Sequence, residues 1–192
     1  KKIMEICFVT NNKYKLLEVS SILKPTLKVN SLSDIGFYNQ IPETGTTLEE
    51  NSLEKAKFIY DRFKLNCFAD DTGLEIEALD GAPGVYSARY AGVNCNADDN
   101  IDLVLNNMKD ISNRNASFRT IITLFLDSEK FVFEGKIDGK ISLKARGNFG
   151  FGYDPIFIPN NFNISFGEMK AIDKNRISHR KKAINKLGLF LG

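Results

Sequence analysis

A single histidine, His179, occurs in the 192 residues, and only three cysteines accompany it. A metal site rich in nitrogen ligands is therefore not expected. Cys7, Cys67 and Cys95 are odd in number and share no spacing, which indicates neither a disulfide framework nor a zinc cluster. Cys7 and Cys67 lie inside apolar runs, where free cysteine behaves as a small buried hydrophobe. No apolar run approaches the roughly 18 residues needed to span a bilayer. The N-terminus is basic, but the short run after it leads straight into polar Thr10-Asn11-Asn12-Lys13, which is not a signal-peptide pattern. A reducing, cytoplasmic setting without membrane contact is the expectation. The net charge is only +2, so nothing draws the chain to nucleic acid at long range, and anion binding must come from local lysines and arginines. Neither a Walker-type glycine–lysine loop nor a dinucleotide-binding glycine fingerprint occurs. Repeats, low-complexity segments and linkers are also missing. With 43% hydrophobic and 26% charged residues, the composition is that of one folded domain spanning residues 1–192.

What is there begins with a buried-strand pattern over residues 3–9. Thr10-Asn11-Asn12-Lys13-Tyr14-Lys15 then opens a helix with Asn12 as a possible cap, its apolar face Leu16, Val19, Ile22 and Leu23, closed by Pro25. Its N-terminus offers unpaired N–H groups and a positive dipole end to an anion, with Lys13 and Lys15 nearby. A plain capped helix with solvated lysines reads the same way. Residues 27–32 suit a short strand and residues 33–45 a polar loop. Thr47 with Glu50 forms a capping-box pattern. The helix it starts carries its apolar stripe at Leu48, Ser52, Ala56, Ile59 and Phe63. Asn51 and Lys55, four apart on a neighbouring face, point together at either a ligand or solvent.

Cys67-Phe68-Ala69-Asp70-Asp71-Thr72-Gly73-Leu74 holds two adjacent carboxylates after an apolar run. Asp and Gly are poor strand residues, so a strand over residues 65–69 is expected to end there, with another over 73–79. Alone, the octet is better accounted for by a turn; paired carboxylates beside a glycine also suit a hard metal ion and its anionic substrate. Asp80-Gly81-Ala82-Pro83-Gly84 is a turn, and Ile101, Val104, Leu105 and Met108 mark a helix. Residues 116–126 and 130–140 read as a long antiparallel hairpin, with 141–145 as a continuation of its second strand. In Arg146-Gly147-Asn148-Phe149-Gly150-Phe151-Gly152-Tyr153-Asp154-Pro155, glycines alternate with aromatics, which suits a loop where backbone and ring approach a flat ligand. After a short strand at 156–158, Ser178 caps a last helix with His179, Arg180, Lys181 and Lys182 in its first turn. Cations there oppose the helix dipole, a local conflict that hints at a ligand.

Together these parts fit a phosphate-chain hydrolase. Glu43, Asp70 and Asp71 imply oxygen ligation of Mg²⁺, with Mn²⁺ the alternative. Lysines neutralise phosphates, and a ring stacks a base. The chain moreover resembles the inosine triphosphate pyrophosphatase family over nearly its whole length. The motifs carrying the resemblance are Thr10-x-Asn12-x-x-Lys15; Glu43 followed by Glu50-Asn51-x-x-x-Lys55-Ala56; Ala69-Asp70-Asp71-Thr72-Gly73-Leu74; Gly81-x-Pro83-Gly84-x-Tyr86-Ser87-Ala88-Arg89-Tyr90; Gly150-Phe151-Gly152-Tyr153-Asp154-Pro155; and Lys174-x-x-Ile177-Ser178-His179-Arg180.

The resemblance implies an α/β fold, with an elongated central mixed sheet flanked by helices and two lobes around an active-site cleft. It implies Mg²⁺-dependent cleavage of ITP, dITP and XTP to the monophosphate and pyrophosphate, by a homodimer without nucleic-acid or membrane partners. By position, Asp71 is the general base or metal-linked carboxylate, Glu43 a metal ligand and Asp70 an auxiliary carboxylate. Thr10, Asn12, Lys15, Lys55 and Thr72 would hold the phosphates. Phe151 would stack the base, with Gly152, Tyr153, Asp154, Lys174, His179 and Arg180 around it, and Arg89 joins the substrate-binding set. Hypoxanthine and xanthine present an acceptor oxygen where adenine presents an amino group. A donor-only arginine, Arg180, would therefore disfavour ATP. Two positions depart from the family pattern: Asn11 replaces a usual glycine, and Pro42 replaces an additional glutamate. The rival readings are a pyrophosphatase for modified pyrimidine nucleotides and a weakly catalytic nucleotide-binding module; retention of Asp71 and Lys15 argues against the second.

Overall fold

The computed structural model describes residues 4–23, 27–94 and 96–192. Ile3, the helix-closing Pro25 and Cys95 lie outside the described residues. Strand β1 (Met4–Phe8) supplies the expected apolar run, and helix α1 (Lys13–Ile22) follows it. The Asn12 side chain accepts hydrogen bonds from the amides of Tyr14 and Lys15 at 2.9 and 3.1 Å, so it caps α1 as expected. Strand β2 (Leu27–Asn30) pairs parallel with β1. The segment read as a polar loop is less polar in its packing than in its composition, since Phe37 and Ile41 are buried in it. Helix α2 (Leu48–Phe63) starts with the capping box of Thr47 and Glu50.

Strand β3 (Cys67–Ile76) runs straight through Asp70, Asp71 and Gly73, where the sequence predicted a break. A strand interior tolerates carboxylates when cations distant in sequence pair with them, and β3 has such partners. Gly73 has a different reason to be there. A Cβ added to it would stand 2.6 Å from the Gly84 carbonyl oxygen, so the glycine admits a neighbouring backbone. Gly73→Ala is expected to destabilise the fold by about 1–3 kcal/mol. An unchanged calorimetric melting temperature would rule that contact out as a constraint.

Helix α3 (Ala97–Asn107) follows a short 3₁₀ stretch at Gly84–Arg89. Strands β4 (Asn115–Leu126) and β5 (Glu129–Ile141) form the expected hairpin. Its two-residue turn holds Asp127 and Ser128 at φ 48° and 75°. The second strand stops at Ile141 rather than continuing to residue 145. Strand β6 (Phe157–Pro159) pairs antiparallel with β5. Helix α4 (Ala171–Ile177) was not expected, and α5 (His179–Phe190) is the last helix. The strands form one mixed sheet in the order β2-β1-β3-β4-β5-β6, so the α/β expectation holds.

The chain divides into two compact units. The first comprises Lys1–Asp71, Thr120–Gly135 and Arg180–Gly192; the second comprises Thr72–Arg119 and Lys136–His179. In the first, Ile6, Phe8, Phe68, Ile122 and Leu124 pack with Val19 of α1 and with Ala183, Ile184 and Leu187 of α5. The opposite sheet face, carrying Cys7, Val9, Cys67 and Ala69, packs on Ala56 and Ile59 of α2. Cys7 and Cys67 are free, and burial pushes both thiols up to about 12. The second unit buries Leu74 and Ile76 with α3 residues Ile101 and Val104, together with Phe118, Phe157 and Phe166. Among the described residues no helix is long and apolar enough to cross a membrane.

Candidate active site

Alternation along β3 sends its two aspartates to opposite faces of the sheet. Asp70 shares the side of Phe68, toward α1 and α5. Its Oδ1 receives Lys15 Nζ at 3.0 Å and its Oδ2 receives Arg180 Nε at 3.2 Å. Arg180, at 1% exposure, also bonds through its guanidinium to Glu18 of α1. Burial alone would raise Asp70, but Lys15 and Arg180 outweigh it and hold the carboxyl well below the usual range. Asp70 is thus a charged anchor for two cations at neutral pH.

Asp71 shares the side of Cys67 and Ala69, toward α2. Its Oδ1 lies 3.3 Å from Lys55 Nζ, and its Oδ2 accepts from Asn51 Nδ2 at 3.2 Å. Lys55 also bonds Glu43 Oε1, so two carboxylates converge on one ammonium. Burial pushes Asp71 above its ordinary value, with Lys55 and Lys15 offsetting only part of that. Burial works on Lys55 in the opposite sense, yet facing Asp71 and Glu43 raises it. The two neighbouring aspartates therefore differ in chemistry as well as in direction: one stays ionised, the other has gained proton affinity.

Asn51 and Lys55 are buried, which removes the solvated-face reading of that side of α2. Thr10 accepts from the Asn12 amide through its hydroxyl at 3.1 Å. Asn11 uses its side chain on a different stretch, donating to Asn39 O and accepting from the Ile41 amide, both at 3.2 Å. Among the described residues no three His, Cys, Asp or Glu side chains form a ready-made metal cage. Two converging carboxylates instead match Mg²⁺, which typically takes one or two carboxylates plus waters and substrate phosphates.

In the second unit, the expected aromatic–glycine loop wraps Asp154. The Phe151 amide donates to Asp154 Oδ2 at 2.8 Å, and Lys174 Nζ donates to the same oxygen at 2.7 Å. Gly150 sits at φ +76°, and a Cβ there would meet Asp154 Oδ2 at 2.0 Å, so only glycine admits this turn. Lys174 Nζ stands 4.9 Å from the Phe151 ring centroid. The Tyr153 hydroxyl donates to Ser87 O at 2.7 Å, and Ser87 Oγ in turn accepts from the Leu74 amide. His179 is buried, its ring stacked on Phe118 with centroids 4.6 Å apart. Gly152 lies beside Phe151 at φ +59°. Thr72 is partly exposed on β3, and the Arg89 guanidinium covers Tyr86 at 5.3 Å.

The Arg180 guanidinium is bonded to the carboxylates of Asp70 and Glu18 in the first unit. Phe151, Asp154, Lys174 and His179 belong to the second. Sequence reading gave no role to Glu18, Phe118 or Phe166, and named Ser87 only as part of a family motif. Glu18 offered one signal, a carboxylate directly beside Val19 on the apolar face of α1.

The structure is that of an α/β protein whose first unit gathers carboxylates and lysines on both faces of β3. A model of the Ham1 family matches residues 6–190, and the chain belongs to that family. The dITP/XTP pyrophosphatase of Porphyromonas gingivalis is 50% identical over 188 residues, covering 97% of each chain. The dITP/XTP pyrophosphatase of Bacillus subtilis is 41% identical over 191 residues, covering 97% of this chain and 96% of its own. The structure of a HAM1 protein from Coxiella burnetii superposes with a TM-score of 0.90 at 36% identity, covering 98% of both chains. That of the Staphylococcus aureus Ham1 protein gives 0.89 at 38% identity, covering 97% of both.

Proposed function

We propose that this protein hydrolyses dITP, ITP and XTP to the nucleoside monophosphate and pyrophosphate. The observation that carries the reaction type is the convergence of Glu43 and Asp71 on Lys55, beside the Lys15–Asp70–Arg180 network. The names of the relatives support the choice of substrate. In this reading Asp71 takes the proton of the water that attacks the anhydride. One P–O bond forms as another breaks, and pyrophosphate leaves. Lys15 and Lys55 stabilise charge on the phosphates, with Thr10, Asn12 and Thr72 as further contacts. Glu43 and Asp71 would hold Mg²⁺, which supplies charge neutralisation and a more acidic water.

Phe151 offers its face to the base, and Lys174, fixed by Asp154, supplies donors only. That suits the acceptor oxygen of hypoxanthine and xanthine and opposes the amino group of adenine. Arg180 serves as the anchor of Asp70 and Glu18. The protein acts in the cytoplasm as a homodimer.

A panel of purine and modified pyrimidine triphosphates with Mg²⁺, assayed for pyrophosphate against orthophosphate, tests the reading. Pyrophosphate from dITP, ITP and XTP is expected, with kcat/KM on the order of 10²-fold above ATP. Orthophosphate as first product, or a preference for pyrimidines, would overturn it.

A further inference from the structure

Glu43 and Asp71 come from different parts of the first unit. Asp71 stands on β3, whereas Glu43 lies in the stretch between β2 and α2. Something has to fix one carboxylate relative to the other. Lys55 touches both, but an ammonium on a flexible stem follows its partners rather than locating them.

Asn51 meets the requirement. Its side chain is fully buried at 0% exposure, and both ends of the amide are used. Oδ1 accepts from the Gly45 amide at 2.8 Å, and Nδ2 donates to Asp71 Oδ2 at 3.2 Å. The orientation is unambiguous, because a peptide N–H only donates and a carboxylate only accepts. Gly45 is two residues beyond Glu43. A Cβ on Gly45 would stand 2.6 Å from Glu50 Cβ and 2.8 Å from Asn51 Oδ1, so this backbone lies as close to α2 as glycine permits.

Neighbouring side chains grip the same stretch. Glu54 accepts from the amide and hydroxyl of Thr44 at 2.7 and 2.8 Å. Asn11 holds Asn39 and Ile41 on the other side of Glu43. Of these holders, Asn51 alone also reaches a catalytic carboxylate.

We infer that Asn51 is a positioning residue that ties the Glu43 stretch to Asp71, so that both carboxylates are set for one cation before substrate arrives. The neutral amide does this without adding charge to the cluster. The inference rests on the proposed function only in assigning Glu43 and Asp71 to the same reaction.

The test compares Asn51→Ala and Asn51→Asp with the wild-type protein, using Gly45 amide exchange, Mn²⁺ binding by electron paramagnetic resonance, and steady-state kinetics. Asn51→Ala should speed Gly45 exchange about 10-fold or more, weaken Mn²⁺ binding, and lower kcat more than it raises KM. Asn51→Asp keeps the acceptor for Gly45 but loses the donor to Asp71. It should preserve slow Gly45 exchange while losing turnover, and it stands in if the alanine variant fails to fold. A merely structural asparagine would lower the melting temperature and leave Mn²⁺ affinity and the kcat–KM balance of the folded protein alone, and that result would overturn the inference. Gly45 exchange and Mn²⁺ binding need no substrate. Failure of wild-type protein to turn over any triphosphate would therefore count against the function without touching this coupling.

Discussion

An Asp71→Asn variant is expected to lose pyrophosphate release by on the order of 10²–10⁴-fold while remaining at least as stable as the parent near pH 7. Both halves follow from the loss of one ionisable group. Burial raises the folded-state affinity of Asp71 for a proton. The native state therefore favours its neutral form more than the unfolded chain does. A charged Asp71 costs stability once the pH exceeds its unfolded value, and that cost is absent at low pH. Asparagine has the same shape, still offers Asn51 an acceptor, and carries no charge. It also cannot take a proton from water. Activity and melting temperature should thus move independently, which is the mark of a catalytic group rather than a structural one. Near-normal turnover in this variant would remove Asp71 from the role of base.

Arg180→Ala should produce the largest loss of stability. The side chain is 1% exposed and bonded to two buried carboxylates, Asp70 and Glu18. Removing it strands both, a change that costs about 3–5 kcal/mol. For a chain of this size that lowers the melting temperature by about 6–20 °C. Arg180→Lys should not rescue it, because an ammonium lacks the planar fork that spans two carboxylates.

The pH dependence follows from Asp70, which Lys15 and Arg180 hold well below the ordinary range. A depressed carboxylate contributes stability that is present above its unfolded value of about 3.9 and is lost as the pH falls through the folded value. The gap between parent and variant should therefore be widest near neutrality and narrow below ~pH 4. Denaturant melts across that range measure it, and a constant gap would show that Arg180 acts through packing alone.

Local chemistry made much of the fold legible. Asn12 and Thr47 cap helices because their side chains reach amides two or three residues on, and such offsets are visible in any linear text. The Asp127-Ser128 turn and the glycine–aromatic loop are equally local. The continuous β3 was not legible, because the groups that make Asp70 and Asp71 tolerable in a strand come from Lys15, Lys55 and Arg180. Arg180 lies 110 positions away from Asp70. The same distance hid the bonds of Arg180 to Asp70 and Glu18. Phe37 and Ile41 were masked by polar neighbours, and α4 is too short to show a clear period. Family resemblance already ranked Asp71 above Asp70, and the geometry adds the reason: Asp70 faces Lys15 and Arg180 on one side of the sheet, Asp71 faces Asn51 and Lys55 on the other.

That separation depends on nothing more than parity. In a pleated strand the face a side chain takes is set by whether its position is odd or even, not by its identity. Deleting Ala69 would turn each aspartate to the opposite face of the sheet, Asp71 into the place of Asp70 and Asp70 into that of Ala69, with every residue of the cluster still encoded. The site therefore constrains the spelling length of β3 as strictly as its letters, and drift in this chain should admit substitutions there far more readily than single-residue insertions or deletions.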